Sequence, residues 1–142
     1  MKTVRQLLQS KGSTVHAIAP EASVFDALKL MAEKNIGALL VLENGRIAGI
    51  MTERDYARKV ILLGKSSRDI PVREIMSDRV MTVQPDQTLE ECMALMTDKR
   101  VRHLPVVEGG KLVGLVSIGD LVKEVIAEQE QTIKELESYI YS

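Results

Sequence analysis

Apolar and polar positions alternate along this chain in a pattern that is written twice. Ser23 precedes Val24, Ala27, Leu28 and Met31, apolar residues spaced by three and four, with Asp26 three residues after the serine. That spacing predicts a helix whose hydroxyl caps free backbone N–H groups and whose acid sits near the positive helix end. The run Ala38-Leu39-Leu40-Val41-Leu42 then meets Asn44-Gly45 before Arg46 to Met51 returns. Two apolar runs joined by Asn-Gly predict a β-hairpin, because both turn residues must take positive φ. Thr88, Leu89, Glu91, Cys92, Met93 and Met96 repeat the helix pattern, and Leu104 to Val107, Gly109-Gly110 and Lys111 to Val116 repeat the hairpin.

The repetition is regular. Residues 15–55 align without a gap onto residues 80–120 at a constant offset of 65, and 11 of the 41 pairs are identical, among them Pro20/Pro85, Met31/Met96, Gly49/Gly114 and Asp55/Asp120. Each copy reads as a short strand, a helix, a hairpin and a second helix. Strand runs this continuously apolar suit sheets covered on both faces, so each copy is expected to need its sister to bury its surface. Leu63 to Pro71 is polar and rich in breakers, which marks a connection between the copies.

Composition narrows the functional classes. Lys+Arg 19 against Asp+Glu 20 leaves a net charge of -1, and aromatic residues make up 3%. Neither a basic stripe nor a stacking platform for nucleic acid follows from such a chain. The N-terminal stretch carries charges throughout, so no signal peptide or membrane span is expected there, and a cytoplasmic location is. Cys92 is the only cysteine and occupies an apolar helical position, which reads as a buried structural thiol; His16 and His103 lack metal-ligand spacing. No metal site is expected. No P-loop, GxGxxG or paired catalytic groups occur, so the chain does not read as an enzyme and needs no cofactor.

The hairpins end in Gly49-Ile50-Met51-Thr52-Glu53-Arg54-Asp55 and Gly114-Leu115-Val116-Ser117-Ile118-Gly119-Asp120. This resembles the signature of CBS domains, and so do Ile18-Ala19-Pro20, Val83-Gln84-Pro85 and His103-Leu104-Pro105-Val106-Val107. The resemblance covers essentially the whole chain. It implies an α/β fold of two CBS repeats (β-α-β-β-α) packed about a pseudo-twofold axis through their small sheets, a Bateman module. On it, the chain divides into an N-terminal segment and first CBS domain (1–64), a linker (65–76), a second CBS domain (77–127) and a C-terminal helical extension (128–142).

The resemblance further implies a regulatory module that senses an adenine nucleotide (AMP, ATP or NAD) in clefts between the repeats. One cleft would take ribose at Asp55 with Thr52 nearby and borrow Val80, Met81 and Val101; its twin would use Asp120 and Ser117 with Val15, His16 and Ile36. Arg54, Arg58 and Lys59 would hold phosphate in the first, whereas the second has Ile118 and Gly119 inside its signature and offers Arg102 and His103 ahead of its hairpin. The residues themselves admit a simpler reading, in which Thr52 and Ser117 are helix caps, Asp55 and Asp120 are first-turn acids and the cations form a solvated face. The alternatives to nucleotide sensing are S-adenosylmethionine binding, or a ligand-free module for dimerisation or interaction. A homodimer is expected, because Val122, Ile126, Gln129, Ile133, Leu136 and Ile140 recur at alternating spacings of four and three, the seam of a helix that packs along another helix. The effector protein that would receive the signal is not named by any motif.

Overall fold

The computed structural model describes residues 2–141; the two terminal residues, which the outer segments of the expected division include, lie outside them. Helix α1 spans Val4–Lys11, followed by strand β1 (Ala17–Ile18), helix α2 (Val24–Lys34), strands β2 (Ala38–Glu43) and β3 (Arg46–Thr52) and the short helix α3 (Glu53–Tyr56). A π-helical turn at Ala57–Ile61 and a 3-10 turn at Val72–Glu74 lead to helix α4 (Leu89–Lys99), strands β4 (His103–Glu108) and β5 (Lys111–Ser117), and helix α5 (Ile118–Tyr141).

Local chemistry accounts for these boundaries. Ser23 caps α2 by accepting from the Asp26 backbone N–H at 3.0 Å, and Thr88 caps α4 through a reciprocal box with Glu91. Both helices stop at a left-handed residue, Asn35 and Arg100, each at φ 55°. The β2–β3 turn places Asn44 at φ 53° and Gly45 at φ 77°; the β4–β5 turn uses Gly109 at 59° and Gly110 at 79°. These are the positive-φ pairs a tight hairpin needs. Each hairpin also carries the same irregularity, between Val41 and Leu42 and between Val106 and Val107. β1 pairs in parallel with β2 through Ala17↔Leu40 and Ile18↔Val41, whereas its counterpart shrinks to a single bridge, Val83↔Val106.

The spatial grouping departs from chain order. One compact unit is Val15–Val80; the other joins residues 2–14 to residues 81–141. The N-terminal segment therefore completes the second repeat, and the stretch just before the second repeat completes the first. In the first case Thr3 bridges Thr88, Val4 N–H donates to Gln87 O at 2.9 Å, and Arg5 pairs with Asp86 and Glu108. In the second, Ser23 bridges Pro71, Val72 N–H donates to Ala22 O at 2.8 Å, and Arg73 pairs with Glu21 and Glu43. Thr3-Val4-Arg5-Gln6-Leu7-Leu8 and Pro71-Val72-Arg73-Glu74-Ile75-Met76 are thus equivalent segments. Residues 70–76, which read as linker in the sequence, bury Ile70, Val72 and Ile75 in a core.

Each unit has its own core, and the two are built from matching positions. Val4, Leu7, Leu89, Cys92, Met96, Leu104, Val106 and Val116 are buried in one; Val72, Ile75, Val24, Ala27, Met31, Leu39, Val41 and Met51 are buried in the other. Cys92 is wholly buried, and that burial, with Glu91 nearby, pushes its thiol up to about 11. At that value it stays protonated and unreactive at neutral pH, as a structural thiol should.

Candidate functional site

The signature residues occupy the same structural place in each unit, the turn from the hairpin's second strand into the following helix. In the unit Val15–Val80, Thr52 closes β3 opposite Ala38 and caps α3. Its hydroxyl accepts from Asp55 N–H at 3.2 Å, while Asp55 Oδ2 accepts from Thr52 N–H at 2.9 Å and from its hydroxyl at 3.1 Å. The hydroxyl and the carboxylate therefore fix each other's rotamers at the partly buried turn. The other oxygen, Asp55 Oδ1, faces Lys59 Nζ at 3.6 Å, an i,i+4 pair on one helical face.

Lys59 is also tied down by its 2.9 Å bond to Ile75 O, a carbonyl of the segment that completes this unit. Arg54 and Arg58 are exposed, and neither takes part in an ion pair among the described residues. Of the three cations expected to hold phosphate, one is thus bound to the acid and two extend from the surface. Lys59 lies within the π-helical turn Ala57–Ile61, a feature that widens the helix by one residue and has no counterpart in α5. Val15, His16 and Ile36 belong to this unit and are half-buried, Ile36 packing against its core; Val80 ends the unit, also half-buried.

In the other unit Ser117 closes β5 opposite His103, and Asp120 follows in the first turn of α5. Asp120 N–H donates to the Ser117 hydroxyl at 3.1 Å and Asp120 Oδ2 accepts from Ser117 N–H at 2.8 Å. Ile118 N–H donates to Arg102 O at 2.9 Å, which ties the residue before the hairpin to the helix start. Met81 and Val101 pack against this unit's core. Arg102 is exposed and His103 half-buried.

One residue at this site was invisible in the sequence. Lys11, the last residue of α1, ion-pairs with Asp120 Oδ2 and donates to Leu115 O at 2.8 Å. Burial alone would push the Asp120 carboxyl up, but the hydrogen bonds from Lys11 and from Ser117 outweigh it and hold the group below the usual carboxylate range. His103 is depressed below the ordinary imidazole value, first by burial; the Asp120 charge opposes this, and Lys11 and Arg102 reinforce it. His103 is therefore neutral at pH 7 and available as a donor or an acceptor. No signal in the chain linked Lys11 to Asp120, because the lysine lies outside the 65-residue repeat.

Both turns offer a carboxylate in fixed orientation, flanked by a hydroxyl and by cations. Such a group can accept two hydrogen bonds at once, as the paired hydroxyls of a sugar would require. Among the described residues no cluster of His, Cys, Asp and Glu could hold a metal ion, and no helix is long and apolar enough to cross a membrane.

Comparison with known proteins bears on this arrangement directly. The model of the CBS domain matches twice, at residues 5–61 and 72–127. The chain is 39% identical to the mitochondrial CBS domain-containing protein CBSX3 of Arabidopsis thaliana, covering 97% of this chain and 71% of that one. Among solved structures, a CBS-domain protein from Burkholderia ambifaria shares 57% identity with a TM-score of 0.87, covering 90% of this chain and 96% of that one. A hexameric CBS-CP12 protein from bloom-forming cyanobacteria shares 31% identity with a TM-score of 0.77, covering 85% of this chain and 66% of that one. The twice-written α/β unit, the turn sequence in each copy and these matches agree: this chain is a tandem pair of CBS domains and belongs to the CBS-domain family.

Proposed function

We propose that the protein is a regulatory module, without catalysis of its own, that senses an adenine nucleotide (AMP, ATP or NAD) and reports it to an effector protein in the cytoplasm. The observation that carries this reading is the duplicated hydroxyl–carboxylate turn, which holds Asp55 and Asp120 in one geometry in both units. The same reciprocal box caps α4 at Thr88 and Glu91, where the acid is exposed. At the end of each hairpin the acid is instead partly buried and flanked by cations, and a fixed acid in that setting suits the 2′- and 3′-hydroxyls of ribose. Thr52, Asp55, Arg54, Arg58 and Lys59 serve one site, and Ser117, Asp120, Arg102 and His103 the other. Val80, Met81, Val101, Val15, His16 and Ile36 supply the apolar walls for the base. Calorimetric titration with AMP, ATP, NAD and S-adenosylmethionine tests it. Saturable heat with an adenine nucleotide supports the reading, heat with S-adenosylmethionine alone reassigns the ligand, and no heat with any of the four leaves a ligand-free interaction module.

We also propose a homodimer joined through α5. Val122, Ile126, Ile133, Leu136 and Ile140 lie along its length and stay 42 to 71% exposed, in the spacing of a helix–helix seam. The hexameric CBS-CP12 protein shows that a CBS-domain relative self-associates. Truncation after Ala127 should shift the mass seen by light scattering from dimer to monomer; a truncated chain as firmly dimeric as the whole one places the interface elsewhere.

A further inference from the structure

The two acids are neutralised from different sources. Asp55 has Lys59, four residues on in its own helix. The positions equivalent to Arg54 and Lys59 in the second repeat are Gly119 and Glu124, and Glu124 is engaged with Lys2. The cation at Asp120 arrives instead from α1, 109 residues away in sequence. Its delivery is well supported. α1 is anchored by buried Val4 and Leu7, by Arg5 N–H donating to Pro85 O at 2.9 Å, and by Leu89 N–H donating to Lys2 O at 3.0 Å. The equivalent segment of the other unit makes only the 3-10 turn Val72–Glu74 and then pairs Ser77 with Ile50, so it presents no lysine to Asp55.

From this asymmetry, and resting on the nucleotide reading above, we infer that Lys11 is a ligand-contacting residue of the Asp120 site that makes it select phosphorylated over neutral nucleosides. The physical argument follows the charge. When the two hydroxyls of a ribose take the Asp120 carboxylate, they displace Lys11 from Oδ2, which accepts every hydrogen bond that Asp120 accepts among the described residues. The ammonium is then left beside the sugar with its strongest partner weakened. A neutral nucleoside offers no replacement, so that loss opposes its binding. A phosphate on the same sugar does offer one, and a lysine on a flexible four-carbon stem can swing to it as a point charge. Arg102 adds positive charge nearby, whereas neutral His103 can only hydrogen-bond.

The test uses the full chain carrying Asp55→Asn, so that the Asp120 site alone is read, with and without Lys11→Met. AMP and adenosine are titrated calorimetrically into each. Removal of Lys11 should lower the AMP-to-adenosine affinity ratio by about tenfold, as expected for loss of one charge-assisted contact, and Lys11→Arg should restore most of it. Unaltered melting of the Lys11→Met protein confirms that α1 remains docked. A ratio unchanged by Lys11→Met, including one in which both ligands tighten equally, overturns the inference and makes Lys11 a mere cover. Binding of AMP to the wild-type chain but of neither ligand to Asp55→Asn also overturns it, while leaving the nucleotide reading intact. Failure of the wild-type chain to bind AMP or adenosine removes that reading and the inference together.

Discussion

Leu7→Ala should cost the protein about 3 kcal/mol of stability, the usual range for a buried leucine cut back to alanine, although Leu7 precedes both apolar repeats. Its side chain is only 3% exposed and packs with Val4, Leu89, Cys92, Leu104 and Val116. The loss should appear on a defined side of the molecule. Amides of Leu104 to Val106 should lose hydrogen-exchange protection, whereas those of Leu39 to Val41 should keep theirs, because local opening follows the unit that lost its packing. Ile75→Ala, at the equivalent buried position, should give the reverse pattern. Loss of protection at Leu39 to Val41 in Leu7→Ala would mean that the N-terminal segment completes the repeat next to it in sequence.

Asp55→Ala and Asp120→Ala should each weaken AMP binding at their own site by about tenfold or more, since hydrogen bonds to a charged group are worth roughly 1.5 to 3 kcal/mol. The fold should tolerate both changes. Each acid is partly exposed, so what is lost is a first-turn carboxylate, worth about 0.3 to 1 kcal/mol at a helix N-terminus, together with one partly exposed ion pair, to Lys59 or to Lys11, worth about 0 to 1 kcal/mol. The Thr52 or Ser117 hydroxyl is still in place as the cap. Calorimetry on each variant and on the double variant separates the sites. A double variant that binds AMP like the wild-type chain would remove the ribose role from both residues.

Helices α2 and α4, both hairpins and the pairing of hydroxyl with acid at each turn were legible because local chemistry dictates them. A capping serine, an Asn-Gly turn and an i,i+3 hydroxyl–carboxylate pair act over four residues or fewer. The equivalence of Thr3-Val4-Arg5 with Pro71-Val72-Arg73 was not legible, because it runs at an offset of 68 while the rest of the repeat runs at 65. Residues 10 to 12, where α1 extends and stops at Gly12, belong to the extra length that breaks the register. Lys11 falls in that stretch. A residue with no counterpart in the repeat could not be found by comparing the copies, and its partner Asp120 is named only by the fold. Helix α5 runs without a break from Ile118 to Tyr141, across residue 127 where the match to the second CBS domain ends. Val122, Ile126, Ile133, Leu136 and Ile140, whose spacing of four and three was read from the sequence, are exposed along it.

The most direct measurement of the central claim is an amide NMR titration of the full chain with AMP. The account predicts saturable shifts at the backbone amides of Thr52 and Asp55, of Ser117 and Asp120, or of both pairs, since these N–H groups hydrogen-bond to the same hydroxyls and carboxylates that would meet the ligand. Saturable shifts confined to other surfaces, or none at concentrations of AMP, ATP and NAD well into the millimolar range, would contradict it.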